Sequence, residues 1–306
     1  MSSVPDLAPA PGDGAAEAPE AATPGRRRSP LRALRSDPMG AMGLALVLAF
    51  LLMALLAPWI APYDPLAIDV RAKFAPPGWD HWAGTDQLGR DLMSRIVWGA
   101  RIALGIALTA TGIAGALGLL LGLIAGYGPR PLDAVLVLLF DSVNSLPMIL
   151  FALAVITVVG PGIPTLIGVI IAVSVPGYAR LVRAQTLALR HADFIQAERA
   201  MGASGARIVL LHLAPNVVGP LLILLSMDVP VVIMLEAGLS YLNFGVRPPT
   251  PSWGNILHDG YTSIRQAPFM VVVAGLPLVL CTLGFTFLGE SLRDALDPRF
   301  RPRGTL

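Results

Sequence analysis

Three acids stand within or beside long apolar runs: Asp141 in "DSVNSLP", then Asp228 and Glu236 in the run from about 217 to 239. An ionised side chain in hydrocarbon costs several kcal/mol, so such groups face a cavity or a partner. Two roles fit Asp141. It can hydrogen-bond between helices, in a stretch where Asn144, Ser145 and Pro147 offer polar groups and a proline-freed carbonyl, or it can line a solute pathway. The same choice is open for Asp228, and either acid could serve a proton relay. Glu236 lies near the outer end of its run and reads as a structural acid at the interface, and His212, just before that run, reads as an interfacial residue rather than a ligand. No stretch reads GxxxxGK[ST], HExxH or CxxC, so no phosphate cradle or zinc site is visible. The single cysteine, Cys281, excludes an intrachain disulfide.

A polar interval, "AERAMGASGARIVLLHLAP" (197–215), separates two apolar stretches. Phe194, Ala197 and Met201 recur at i, i+3 and i+7, the spacing of one face of a short amphipathic helix. Gly202 suits a left-handed C-terminal cap, and Ser204 can cap a second helix in which Ile208 and Leu211 would share a face. Arg207 stands where a capping box would carry Glu. Helix, sharp turn, helix is the expectation, a docking or anchoring element on the cytoplasmic face. A second polar stretch, "HWAGTDQLGRDLMSRIVWGAR" (81–101), pairs Asp86 with Arg90 and Asp91 with Arg95 at i, i+4. Thr85 or Asp86 can cap it, and Leu88, Leu92 and Ile96 share one face. This predicts an amphipathic helix on the outer membrane surface. Packing on the bundle and contact with an extracytoplasmic partner are both open.

The elements that must position these residues are apolar. Of 306 residues 55% are hydrophobic and only 14% charged, where soluble domains carry about 25% charge. Residues 1 to 35 form a tail without periodicity that ends in the basic run "RRRSPLRALR", and a disordered cytoplasmic segment is expected there. Six runs are then long enough to span a membrane, which takes about 20 helical residues: 39–61, 102–129, 132–159, 163–179, 217–239 and 267–289. The first exceeds the ~7–15 apolar residues of a secretory signal and is expected to stay uncleaved. With both termini inside, fifteen of the 22 basic residues fall on the cytoplasmic side and seven outside. That bias favours an all-α integral membrane protein with N-in, C-in topology: a tail at 1–35, a membrane domain at 36–300 and a C-terminal tail at 301–306.

The stretch "FIQAERAMGASGARIVLLHLAPN" resembles the EAA loop of ABC-importer permeases. There the loop is a coupling helix seated in a groove of the ATP-binding subunit. Gln196, Ala197 and Glu198 occupy the Glu-Ala-Ala triplet, Gly202 the glycine, and Ala214 precedes Pro215 where the pattern has Leu-Pro. "GTDQLGRDLMSRIVWGARIAL", "PGYARLVRAQTLALR", "EAGLSYLNFGVRPPTPSWGNIL" and "LRDALDPR" resemble the C-type permease of dipeptide/oligopeptide importers, a group that includes nickel and glutathione importers. The resemblance covers about 36 to 300. It implies a type I ABC importer permease fold and a coupling loop at about 190–215 carried by Phe194, Gln196, Ala197, Glu198, Met201, Gly202 and Ser204. It implies a non-catalytic subunit of the bacterial inner membrane with no cofactor of its own. ATP and Mg would sit on two partner ATPases, beside a homologous second permease and an extracytoplasmic binding protein; no nucleic acid is implied. A proton-coupled secondary transporter and a non-transporting membrane anchor are the competing classes.

Overall fold

The computed structural model describes residues 37–296. The expected tails at 1–35 and 301–306 lie outside the described residues. Nine α-helices and one short 3₁₀ helix (Val70–Ala72) form among the described residues; the α-helices are α1 (Pro38–Ile60), α2 (Leu92–Tyr127), α3 (Arg130–Asn144), α4 (Met148–Val159), α5 (Ile163–Leu189), α6 (Asp193–Ala200), α7 (Gly205–Tyr241), α8 (Trp253–Thr262) and α9 (Phe269–Leu296). Helices α1, α2, α5, α7 and α9 are each long and apolar enough to cross a membrane. The expected third run is two helices, α3 and α4, bent by 87° at Ser145–Pro147. Proline disfavours the α conformation in the residue before it, here Leu146, so the break falls there.

Neighbouring contacts decide whether this broken pair crosses. Arg183, near the inner end of α5, grips Asp133 in the first turn of α3, with Nη2 to Oδ2 at 2.7 Å. At the far end of α4, Gly160 lies against Arg247 of the opposite loop. The pair therefore runs from one face to the other, which makes six crossings. The packing of α1 on α9 agrees: Gly43 meets the backbone of Leu288, and Gly284 meets Leu46 and Val47. These helices are antiparallel, so the start of α1 and the end of α9 share a face. Asp37 caps α1 by accepting from the amides of Met39 and Gly40. The Ser291 hydroxyl and those amides hold its carboxyl below the usual carboxylate range. A depressed carboxylate stabilises the fold above its ordinary titration range and loses that contribution as pH falls through its lowered value, so this link persists at neutral pH.

The tightest helix pair is α2 with α5. Gly118, Gly122 and Gly126 repeat every fourth residue on α2 and admit Tyr178, Ala179, Val182 and Thr186 of α5 at backbone distance. Small residues at this spacing let membrane helices approach without a hydrophobic driving force. Cysteine labelling tests the topology. Gly78→Cys is expected to react with an impermeant thiol reagent only from outside, and Arg130→Cys only from the cytoplasm. Labelling of both from one side breaks the six-crossing arrangement.

Candidate functional site: a coupling element, a polar ladder and an outer cap

The segment between α5 and α7 takes the expected form. Helix α6 ends at Ala200 with Met201 as its C-cap, and Gly202 follows at φ +83°. The Ala203 amide donates to the Glu198 carbonyl and the Gly202 amide to the Arg199 carbonyl, each at 3.0 Å. This pair of bonds closes a helix on a left-handed residue. Ser204 caps the next helix, its Oγ accepting from the Arg207 amide at 3.4 Å. Ile195 is the buried residue of α6, and it joins Ile208, Leu213 and Val217 in one apolar cluster. Phe194, Ala197 and Met201 lie on the exposed side. The chain thus anchors this element by one side and presents the other. Glu198 reaches His212 at 3.5 Å, Arg199 stacks over the Tyr127 ring at 5.5 Å, and Gln196 donates to the His191 carbonyl. His212 is thus a brace between the two helices.

One expectation inside this segment fails. Leu211 is exposed, and Leu213 takes the place beside Ile208. Pro215 has no amide to donate, and the helix widens to a π-turn over Ile208–Leu213, with the Ala214 amide donating to the Val209 carbonyl. The wider turn changes which residues share a face.

Down the inner half of α5, polar residues face neighbouring helices at three levels. Arg183 pairs with Asp133. One turn further in, Arg180 meets Asp141 at 3.3 Å, both side chains largely exposed in this chain. Beyond them, Tyr178 stands beside Asp228 of α7 in a cavity of about 230 Å³. Asp141 is therefore paired but not buried, and Asn144 and Ser145 are exposed at the α3–α4 break. The Ser145 hydroxyl donates to the Ser142 carbonyl at 2.7 Å. Met148, just past the break, lines the same cavity as Asp228.

The outer stretch 81–101 corrects the expected surface helix. No helix covers Thr85, Asp86, Arg90 or Asp91; α2 begins at Leu92 and runs unbroken to Tyr127. Its cap is Asp91, which accepts from the Ser94 amide and hydroxyl at 2.7 Å and from His81 Nδ1 at 2.9 Å. Residues 84–91 fold back as a tight turn with Gly84 and Gly89 at positive φ and a bridge from Thr85 to Asp91. The Thr85 hydroxyl accepts from the Ala75 amide and donates to the Ala72 carbonyl. Asp86, fully buried, holds Arg90 Nε at 2.6 Å and Arg95, and it also accepts from the amides of Leu88 and Arg90. Asp259 of α8 lies 3.5 Å from both guanidinium groups. These residues are buried struts of an outer cap, so they present no surface to a binding protein.

Helix α8 completes that cap and was not foreseen. Trp253, fully buried, donates from Nε1 to the Ile96 carbonyl at 3.0 Å and meets Phe50 edge-on. The preceding Ser252 and nearby Ser240 both donate to Glu236 Oε1, at 3.0 and 2.7 Å. Glu236 is therefore fully buried and ties the 242–252 loop to α7, rather than sitting at the interface. The signal was present in "PSWGNIL", a serine after prolines at the start of an apolar turn, but the run was too short to read as an element.

An all-helical, multi-pass membrane protein with a cytoplasmic helix–glycine–helix element between two spans is the class that this geometry defines. The model of the family "Binding-protein-dependent transport system inner membrane component" matches residues 118–302, and that of the "N-terminal TM domain of oligopeptide transport permease C" matches 27–77. The chain is 35% identical over 274 residues to the dipeptide transport system permease protein DppC of Alkalihalophilus pseudofirmus, covering 90% of each. It is 37% identical to the di/tripeptide transport system permease protein DppC of Pseudomonas aeruginosa, covering 85% of this chain and 88% of the relative. It is 38% identical to a putative peptide transport system permease protein of Brucella suis, covering 86% and 88%. Inward-facing conformations of the MetNI methionine ABC transporter share the fold, at a TM-score of 0.55 and 19% identity over 67% of this chain and 97% of that one. The chain belongs to the binding-protein-dependent ABC importer permeases, as the membrane-embedded subunit of an ATP-driven importer. Its expected membrane location and its dependence on ATPase and solute-binding partners follow from that membership.

Proposed function

We propose that this chain is one of two homologous permease halves of a peptide importer, and that it hydrolyses nothing itself. Two ATPase subunits carrying ATP and Mg dock on the cytoplasmic face, and an extracytoplasmic binding protein delivers a di- or oligopeptide. The observation that carries the reading is the anchored-and-exposed character of α6. Ile195 fixes it to α5 and α7, while Phe194, Ala197 and Met201 present an apolar face outward. Closure of the ATPase pair pushes this element, and its cluster with Ile208 and Leu213 passes the push to both spans as a rigid unit. Likeness to permeases named for dipeptide and di/tripeptide transport supports the solute class; nickel and glutathione are the alternative solutes.

The purified complex in proteoliposomes, with its binding protein outside and ATP inside, is expected to accumulate labelled dialanine or trialanine. Uptake is expected to stop without ATP and to persist when the proton gradient is collapsed. Transport by this chain alone, lost with the proton gradient, rejects the reading in favour of a secondary transporter.

A further inference from the structure

The cavity behind the α3–α4 break has one carboxylate that the coupling mechanism does not use. Its lining is Met148 of α4, Val173, Ser174, Gly177 and Tyr178 of α5, and Leu224, Asp228, Val231, Val232 and Leu235 of α7. Asp228 is the one charged residue there, and it makes no ion pair among the described residues. The Tyr178 side chain is fixed, because its Cβ packs at Gly118, and its buried hydroxyl faces Asp228 without a hydrogen bond of normal geometry. An intramembrane carboxylate without a counter-charge is costly, so Asp228 in this cavity marks a place for a cationic, donor-rich ligand.

The chemistry narrows the ligand. A lone carboxylate with two hydroxyls among apolar walls offers too few donors for a bare divalent ion, which takes six or more oxygens or a set of nitrogen and sulfur ligands. No group of three metal-binding side chains occurs among the described residues. An organic ammonium needs one counter-charge and a few acceptors, which are present. The volume of about 230 Å³ is below the ~300–1,000 Å³ of sites that enclose a whole small ligand, so it takes one end of a longer solute. We propose that Asp228, with Tyr178 and Ser174, forms a subsite in the translocation pathway for the ammonium terminus of the transported solute. In naming the solute as a peptide, the inference rests on the function proposed above.

The test separates the subsite from the solute. In the assembled complex with Cys281→Ala and Ser174→Cys, the modification rate of the new thiol is followed on this chain by mass spectrometry. A cationic methanethiosulfonate reagent is expected to react about tenfold faster than an anionic one of equal size, as field focusing by one acid in a low-dielectric cleft predicts. Asp228→Asn is expected to abolish that preference, and Asp228→Glu to restore it. With saturating, solute-loaded wild-type binding protein, Asp228→Asn is also expected to cut dialanine uptake about tenfold while stimulation of ATP turnover survives. Equal rates for both reagents, or a preference insensitive to Asp228→Asn, overturn the subsite. Failure of the Asp228→Asn complex to assemble also overturns it, by making the acid an interfacial strut to the second permease. A wild-type complex with the charge preference intact but no uptake of any peptide upholds the cation subsite and refutes the peptide reading alone.

Discussion

Replacing Asp86 with alanine is expected to destabilise the outer cap and with it the assembled complex. The carboxylate is completely buried and holds two buried guanidinium groups, Arg90 and Arg95, leaving only the partly exposed Asp259 as a second counter-charge. Removing one member of a buried ion pair costs about 3–5 kcal/mol, because the charge left behind is uncompensated. Here two positive charges would face one acid, and the amides of Leu88 and Arg90 would lose their acceptor. At about 2–4 °C per kcal/mol for a domain of this size, the thermal midpoint of the purified complex should fall by about 10 °C, with a matching loss of yield. Asp86→Asn keeps an acceptor but not the charge and is expected to fall between. Asp64→Ala, at an exposed turn of the same loop, is expected to change neither. A midpoint for Asp86→Ala within about 2 °C of wild type, less than 1 kcal/mol on that scale, contradicts the strut assignment.

That cap shows where the sequence misleads. Opposite charges four residues apart are neighbours on a helix, but a tight turn brings the same two residues together, and Asp86 with Arg90 does so at 2.6 Å. The discriminating signal was Gly89, a poor helix former inside the supposed helix, which here takes φ +72° against the Asp69 backbone. The spans were legible because apolar runs of sufficient length leave one solution in hydrocarbon. Their ends were not: α2 begins at Leu92, ten residues before the charge-free run, since Arg95 and Arg101 can be carried by a helix above the hydrocarbon. The α3–α4 break was signalled by Pro147 but its 87° bend was not, because a proline marks where a helix stops and does not fix the direction in which the chain resumes. The Asp228 cavity was invisible. Its lining comes from three helices far apart in the chain, and a single acid in an apolar run does not tell which neighbour it meets. The helix–glycine–helix element was the most legible, because glycine, cap and periodicity all act within a few residues.

That element yields the second large effect. Gly202 has open space where a Cβ would stand, so any effect of a side chain there comes from the backbone alone. At φ +83°, valine pays about 1–3 kcal/mol to hold the left-handed conformation and relieves it most easily by redirecting the chain into α7. The spans still insert, but the push on α6 no longer reaches Ile208 and Leu213. Gly202→Val is expected to leave ATP turnover running and to lower solute uptake per ATP about tenfold or more. Gly202→Asn, which tolerates positive φ far better than valine, is expected to stay near wild type, and that contrast separates conformation from bulk. Ala197→Asp addresses the other half of the device. Ala197 is exposed in this chain, so the added charge costs the fold little, the helix-propensity difference of under about 1 kcal/mol. It becomes expensive only when a partner covers it without a counter-charge. The ATPase subunits are therefore expected to co-purify poorly with Ala197→Asp and normally with Gly202→Val. Both variants should accept loaded binding protein outside, since neither touches the outer cap. Co-purification and uptake at wild-type levels in both variants would mean that the exposed face of α6 is not where the ATPases dock. The same outcome in Gly202→Val and Gly202→Asn, whether both normal or both uncoupled, would mean that the left-handed turn is not what transmits the stroke.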